Sequence, residues 1–136
     1  LAISSDGKLL VGGSYDGTIQ IWNLQAGILT STLPSSSFAV ESIAISSNGK
    51  TLFAGTGKTI KIWNLQTGAL LSTLNGHTEK VNSVAISPDN KTLVTASNDL
   101  SIKLWNIATG KLIKTLNGHS GVILCVTISQ NGKNIV

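Results

Sequence analysis

Residues 53–74 read FAGTGKTIKIWNLQTGALLSTL, and the fold turns on how the opening of that stretch is understood. The run GTGKT at 55–59 has the tail of a phosphate-binding loop. That pattern, G-x-x-x-x-G-K-[ST], is a geometry: a glycine-rich turn aims backbone N–H groups at phosphates, a lysine reaches their oxygens, and a helix follows. Counting back from Gly57, Lys58 and Thr59 places the opening glycine at position 52, which is Leu52. Beyond Lys58 the chain continues Thr59, Ile60, Lys61, Ile62, Trp63, an alternation of β-branched and polar residues that predicts a strand. The stretch is therefore not expected to bind a nucleotide, and Lys58 is expected to be a solvated turn residue.

The explanation lies in its copies. TIQIWNLQAGILTSTL (18–33), TIKIWNLQTGALLSTL (59–74) and SIKLWNIATGKLIKTL (101–116) nearly repeat one another, with Trp22, Trp63 and Trp105 separated by 41 and 42 residues. LAISSDGKLL, IAISSNGKTL, VAISPDNKTL and VTISQNGKNI form a second set, and NGH occurs at 75–77 and 117–119. In the third unit VNSVAIS, TLVTAS, SIKLWNI and KLIKTL are bounded by the turn-forming runs PDNK, NDL and ATG. Four strands in every 41 to 42 residues predict an all-β stack of small antiparallel sheets, each covered by its neighbours.

The spacing, the GH before the first strand, the aspartate in the third turn and the tryptophan closing the third strand resemble the WD40 family of β-propellers across essentially the whole chain. The usual Trp-Asp pair is Trp-Asn here, at Trp22-Asn23, Trp63-Asn64 and Trp105-Asn106. The resemblance implies a propeller segment over 1–136, with three four-stranded blades and a partial fourth (units 1–33, 34–74, 75–116 and an incomplete 117–136). Since such rings usually close with seven blades, the chain is expected to be a piece of a longer array, or to complete its ring with another copy through its open blade faces.

The resemblance also implies a structural hydrogen-bond network of the GH histidine, a Ser/Thr on the second strand, the turn aspartate and the indole. The third unit matches in full with His77, Thr95, Asp99 and Trp105. The first keeps Asp16 and Trp22 but has Gly12 at the Ser/Thr position. The second has Ser36 for histidine, Ala54 for Ser/Thr and a turn one residue shorter, which leaves Trp63 and produces GTGKT. His119 is the histidine of the fourth unit. A buried indole and imidazole need partners, and a carboxylate accepting from imidazole fixes its tautomer.

Composition narrows the function. Ten lysines against six carboxylates give a formal charge of +4, with no arginine, and the lysines are spread along the sequence rather than clustered. Nucleic acid is therefore not an expected partner, because guanidinium contacts and a basic stripe are both missing. Apolar runs are far shorter than a membrane span. Two histidines a full repeat apart and one cysteine lack metal-ligand spacing, so no metal or other cofactor is expected. Cys125 matches Ser83 in an inner-strand pattern and is expected to be a buried, inert thiol. His77 and Asp99 beside serines invite a hydrolase reading, but the repeated network already accounts for both, and no catalytic residue is assigned. The missing export signal and lone cysteine point to the cytoplasm.

What remains is binding. In the family the resemblance points to, partners dock on the top face, through residues at the start of each inner strand and before the turn aspartate. By position these are Ala39 and Glu41, Lys80 and Asn82, Val122 and Leu124, with Tyr15 and Asn98. The expected function is a non-catalytic scaffold for protein or peptide partners. The alternative is the sensory or docking part of a larger signalling enzyme, since these Ser/Asn-rich repeats are similar to bacterial WD arrays that can be fused to kinases or NTPases. Catalytic motifs or further repeats in the flanking gene distinguish the two.

Overall fold

The computed structural model describes residues 1–34 and 38–136. Twelve strands fall into three antiparallel sheets of four, each a meander with strands in sequence order. The first holds β1 (Ala2–Ile3), β2 (Leu9–Gly13), β3 (Thr18–Asn23) and β4 (Ile28–Pro34). The second holds β5 (Val40–Ile45), β6 (Thr51–Thr56), β7 (Thr59–Asn64) and β8 (Leu70–Leu74), and the third β9 (Val81–Ile86), β10 (Thr92–Ser97), β11 (Ile102–Asn106) and β12 (Leu112–Leu116). These are the four-stranded sheets that the repeat predicts and that the family resemblance implies as propeller blades.

The stretch GTGKT is a hairpin. Thr56 pairs with Thr59 across Gly57 and Lys58, and β7 begins where a phosphate loop would need a helix. Gly57 has φ 56°, as the first central residue of a two-residue type II′ turn requires. In the third blade the longer turn places Leu100 at φ 67°, a left-handed conformation where the first blade has Gly17.

Alternation along each strand sends one set of apolar side chains toward each neighbouring blade. Val11, Ile19, Ile21 and Leu33 of the first blade pack with Val40, Ile43, Leu52 and Trp63 of the second. Phe53, Ile60, Ile62 and Leu74 then pack with Val81, Val84, Leu93 and Trp105 of the third. Hydrogen bonds repeat at the same seams: Ser42 Oγ accepts the Val84 N–H at 3.1 Å, and Ser83 Oγ accepts the Val126 N–H at 3.1 Å. Glycine allows one close approach. A Cβ on Gly13 would lie 2.3 Å from Val40 Cγ1.

Residues 117–136, expected as a partial fourth blade, pack on the third blade through Ile123 and Val126 and form a single antiparallel bridge, Ile128 to Ile135, in place of a strand ladder. A strand needs a ladder partner, and 122–128 finds one only near Val136, where Thr127 and Val136 exchange N–H bonds of 2.8 and 3.0 Å. Cys125, expected to be buried, is exposed, because no described residue packs over its side of the segment.

Each blade has two ends. The β1–β2 and β3–β4 turns and their counterparts share the lower end, as the bonds from Leu24, Leu65 and Ile107 N–H to Lys8, Lys50 and Lys91 carbonyls show. The β2–β3 turns and the connections between blades form the upper end.

Candidate functional site

The chemistry-bearing side chains of the third blade meet at its upper end. Register sets Trp105 opposite Leu93 and Thr95 opposite Lys103, so indole and hydroxyl share one face two residues apart. Trp105 Nε1–H donates to Thr95 Oγ1 at 2.9 Å, and Thr95 Oγ1 lies 2.7 Å from His77 Nε2. His77 Nδ1 lies 2.7 Å from Asp99 Oδ2, which also accepts the Thr78 N–H at 3.1 Å. Asp99 Oδ1 accepts from the Ser101 hydroxyl at 2.6 Å and its N–H at 3.0 Å. Gly76 completes the packing, since a Cβ there would lie 2.8 Å from Trp105 Cη2.

Donor counting fixes the protonation. With the proton on Nδ1, His77 donates to the carboxylate and its Nε2 accepts the Thr95 hydroxyl, which in turn accepts the indole N–H, so every group is satisfied. Burial pushes the His77 imidazole below its ordinary value against the opposing pull of Asp99. For Asp99, burial raises the carboxyl, but the bonds from Ser101, His77 and the Thr78 N–H outweigh it and bring it to about 2. A neutral imidazole beside a carboxylate follows. Thr95 is wholly buried and His77 is 6% exposed, so no hydroxyl in this chain of bonds faces solvent as a nucleophile would.

Among the described residues, the others expected in such networks are not joined into one. Asp16 is exposed and accepts from Thr18 N–H and Oγ1–H at 2.9 and 2.7 Å, which makes it a local turn clasp. Trp22 packs its ring over Gly12, which offers no hydroxyl and leaves 3.0 Å between a built Cβ and Trp22 Cζ3. Trp63 is buried as a core residue, with Ala54 at the hydroxyl position. Ser36 lies outside the described residues. His119 is exposed, and the positions corresponding to Thr95, Asp99 and Trp105 in its unit fall past Val136.

A second locus lies at the upper end between the first three blades. Tyr15, Phe38, Ala39, Glu41, Gly57 and Lys80 line an open cleft of about 310 Å³. Tyr15 is 88% and Phe38 63% exposed, and Lys80 Nζ sits 3.2 Å from Glu41 Oε1. Four of these residues were expected at a docking face; Phe38 was not. Its signal is an aromatic two residues before an inner strand, where the other units have Glu79 and Gly121. The Phe38 ring rests over Gly57, where a Cβ would lie 3.1 Å from its Cγ. The shortened GTGKT turn is thus the shelf on which this ring lies.

The remaining expected contacts divide. Asn82 Nδ2 donates to Asn98 Oδ1 at 2.6 Å and to the Ile123 carbonyl at 2.9 Å, so Asn82, held by Asn98, is a strut between the third blade and the segment beyond it. Val122 and Leu124 are exposed but do not line the cleft. Lys58 stands in its turn 3.6 Å from Glu79, both side chains more than half exposed. Among the described residues no group of three or more His, Cys, Asp or Glu side chains is placed to hold a metal ion.

Comparison with known proteins agrees with this architecture. No curated protein sequence matches the chain. Among solved structures, that of U3-55K and the crystal structure of the RRP9 WD40 repeats each superpose with a TM-score of 0.88 at 29% identity. Each comparison covers 93% of this chain but 41% and 40% of the other, so the chain spans about two fifths of their length. The family model for the WD domain, G-beta repeat, matches residues 1–23, 27–64, 68–106 and 110–136. The chain therefore belongs to the WD40 repeat family.

Proposed function

We propose that this chain is a non-catalytic docking scaffold that takes a protein or peptide partner at its upper end, against Tyr15, Phe38, Glu41 and Lys80. WD40 repeats are in general non-catalytic scaffolds that bind protein partners. The observation that carries the reading for this chain is the pair of exposed aromatics beside an ion pair around an open cleft. Aromatic side chains supply large contact area at low entropic cost, and their polar neighbours fix orientation. The obvious candidates for chemistry, His77 and Asp99, are engaged with each other and with Thr95 inside the third blade, which supports the same reading.

Peptides selected for binding to the chain from a random library test this. Tyr15→Ala and Phe38→Ala are expected to weaken the selected binders about tenfold or more, the scale of a hot-spot truncation, while Lys103→Ala on β11 leaves them unchanged. Binders indifferent to both aromatic substitutions would overturn the assignment.

A further inference from the structure

The lysines that look scattered in sequence are gathered by the fold. Lys8, Lys50, Lys91 and Lys133 hold the same position in four copies of one turn, in which a Ser hydroxyl and the lysine N–H both bond an Asp or Asn side chain. The turns touch in sequence along the lower end. Ser5 Oγ–H donates to the Ser47 carbonyl at 2.6 Å, the Ser47 N–H to Asn90 Oδ1 at 2.9 Å, and Gly132 packs near Pro88. All four lysines are exposed, and among the described residues none lies within ion-pair distance of a carboxylate. Only Asp6 and Asp89 bring negative charge to these turns, where the alternate copies carry Asn48 and Asn131. Asp16, Glu41, Glu79 and Asp99 all stand at the upper end.

We propose that this row of lysines is a second docking surface, for an extended acidic segment of a protein partner. Stacked sheets lie about 10 Å apart, and a chain extended as polyproline II rises about 3.1 Å per residue with about three residues per turn, so acidic residues at every third position lie on one side and meet one lysine per blade. Nucleic acid fits less well, since the chain has no arginine and its two exposed aromatics, Tyr15 and Phe38, are at the opposite end. The row is independent of the upper cleft.

The probe is a fluorescein-labelled Ser/Gly peptide with Glu at every third position, read by anisotropy at low and high salt, with Gln in place of Glu as control. Saturable, salt-sensitive binding is expected, absent for the Gln peptide. Replacing Lys8→Gln, Lys50→Gln, Lys91→Gln and Lys133→Gln together should weaken it about tenfold, the sum of four exposed charge pairs. Asn48→Asp with Asn131→Asp, which installs the residue native to the sister turns and so preserves the fold, should weaken it several-fold, while Lys58→Gln should not. The proposal is overturned by no binding, by binding that ignores the Asn→Asp pair, or by equal loss with Lys58→Gln. It is likewise overturned if single-stranded RNA or phosphatidylserine vesicles bind this row more tightly than the peptide.

Discussion

His77 Nδ1 stands 2.7 Å from Asp99 Oδ2, joining the connection before the third blade to the turn between its second and third strands. The two residues are 22 positions apart in sequence, yet their side chains meet where both are almost wholly buried. Such a pair resembles half of a catalytic triad. It differs because the far side of the imidazole meets Thr95, whose hydroxyl is itself held by the indole.

Removing the Thr95 hydroxyl isolates two buried groups at once. Thr95→Val is expected to lower the unfolding free energy by about 1 to 3 kcal/mol, because Trp105 Nε1–H and His77 Nε2 each lose their partner. Asp16→Asn, in the corresponding turn of the first blade, should move the urea midpoint far less, since that carboxylate is exposed and bonds locally.

Acid should destabilise the chain in two windows. His77 has its folded value below the ordinary 6.5, so its contribution is complete above pH 6.5 and is lost as pH falls below that toward the folded value. Asp99 lies at about 2 against an ordinary 3.8, so its contribution is complete above pH 3.8 and disappears between there and about pH 2. Unfolding midpoints measured across pH 7.5 to 5, roughly one unit either side of a free imidazole, should fall for the wild type. They should fall less for His77→Gln.

Leu100 is a leucine at φ 67° with a partly exposed side chain. Leu100→Gly relieves the left-handed strain, and its gain exceeds the added freedom of the unfolded chain by up to about 1 kcal/mol. A lower thermal midpoint in the variant would contradict the strain argument.

Gly13→Ala should cost about 1 to 3 kcal/mol, because its Cβ meets Val40 Cγ1 at 2.3 Å in the seam between the first two blades. By contrast Lys58→Ala should change stability by less than about 0.5 kcal/mol, as an exposed pair with Glu79 contributes little. If Lys58→Ala removed a measurable nucleotide affinity, the hairpin reading of GTGKT would fail.

Much of this architecture was legible because the repeat states it several times. A single copy of TIKIWNLQ is an ambiguous apolar run, but four aligned units fix strands, turns and the cross-strand closeness of Trp105 and Thr95. What stayed hidden depends on departures from the repeat. Phe38 joins Tyr15 only because Gly57 lacks a side chain and the turn beside it is short. Cys125 follows the pattern of Ser83, but its burial depended on a covering neighbour that pattern cannot supply. The four lysines recur at one position of the aligned copies, but they are a full blade apart in sequence, and only the stacking of turns brings them together as a row.

Imidazole NMR of His77 tests most directly the claim that the reactive-looking residues of the third blade serve the fold. At neutral pH the ring should be neutral, with a slowly exchanging proton on Nδ1 and an unprotonated Nε2, and it should titrate below the free-histidine value. A rapidly exchanging His77 that titrates at or above 6.5 would contradict it, because such a ring would be open to solvent and available as a base.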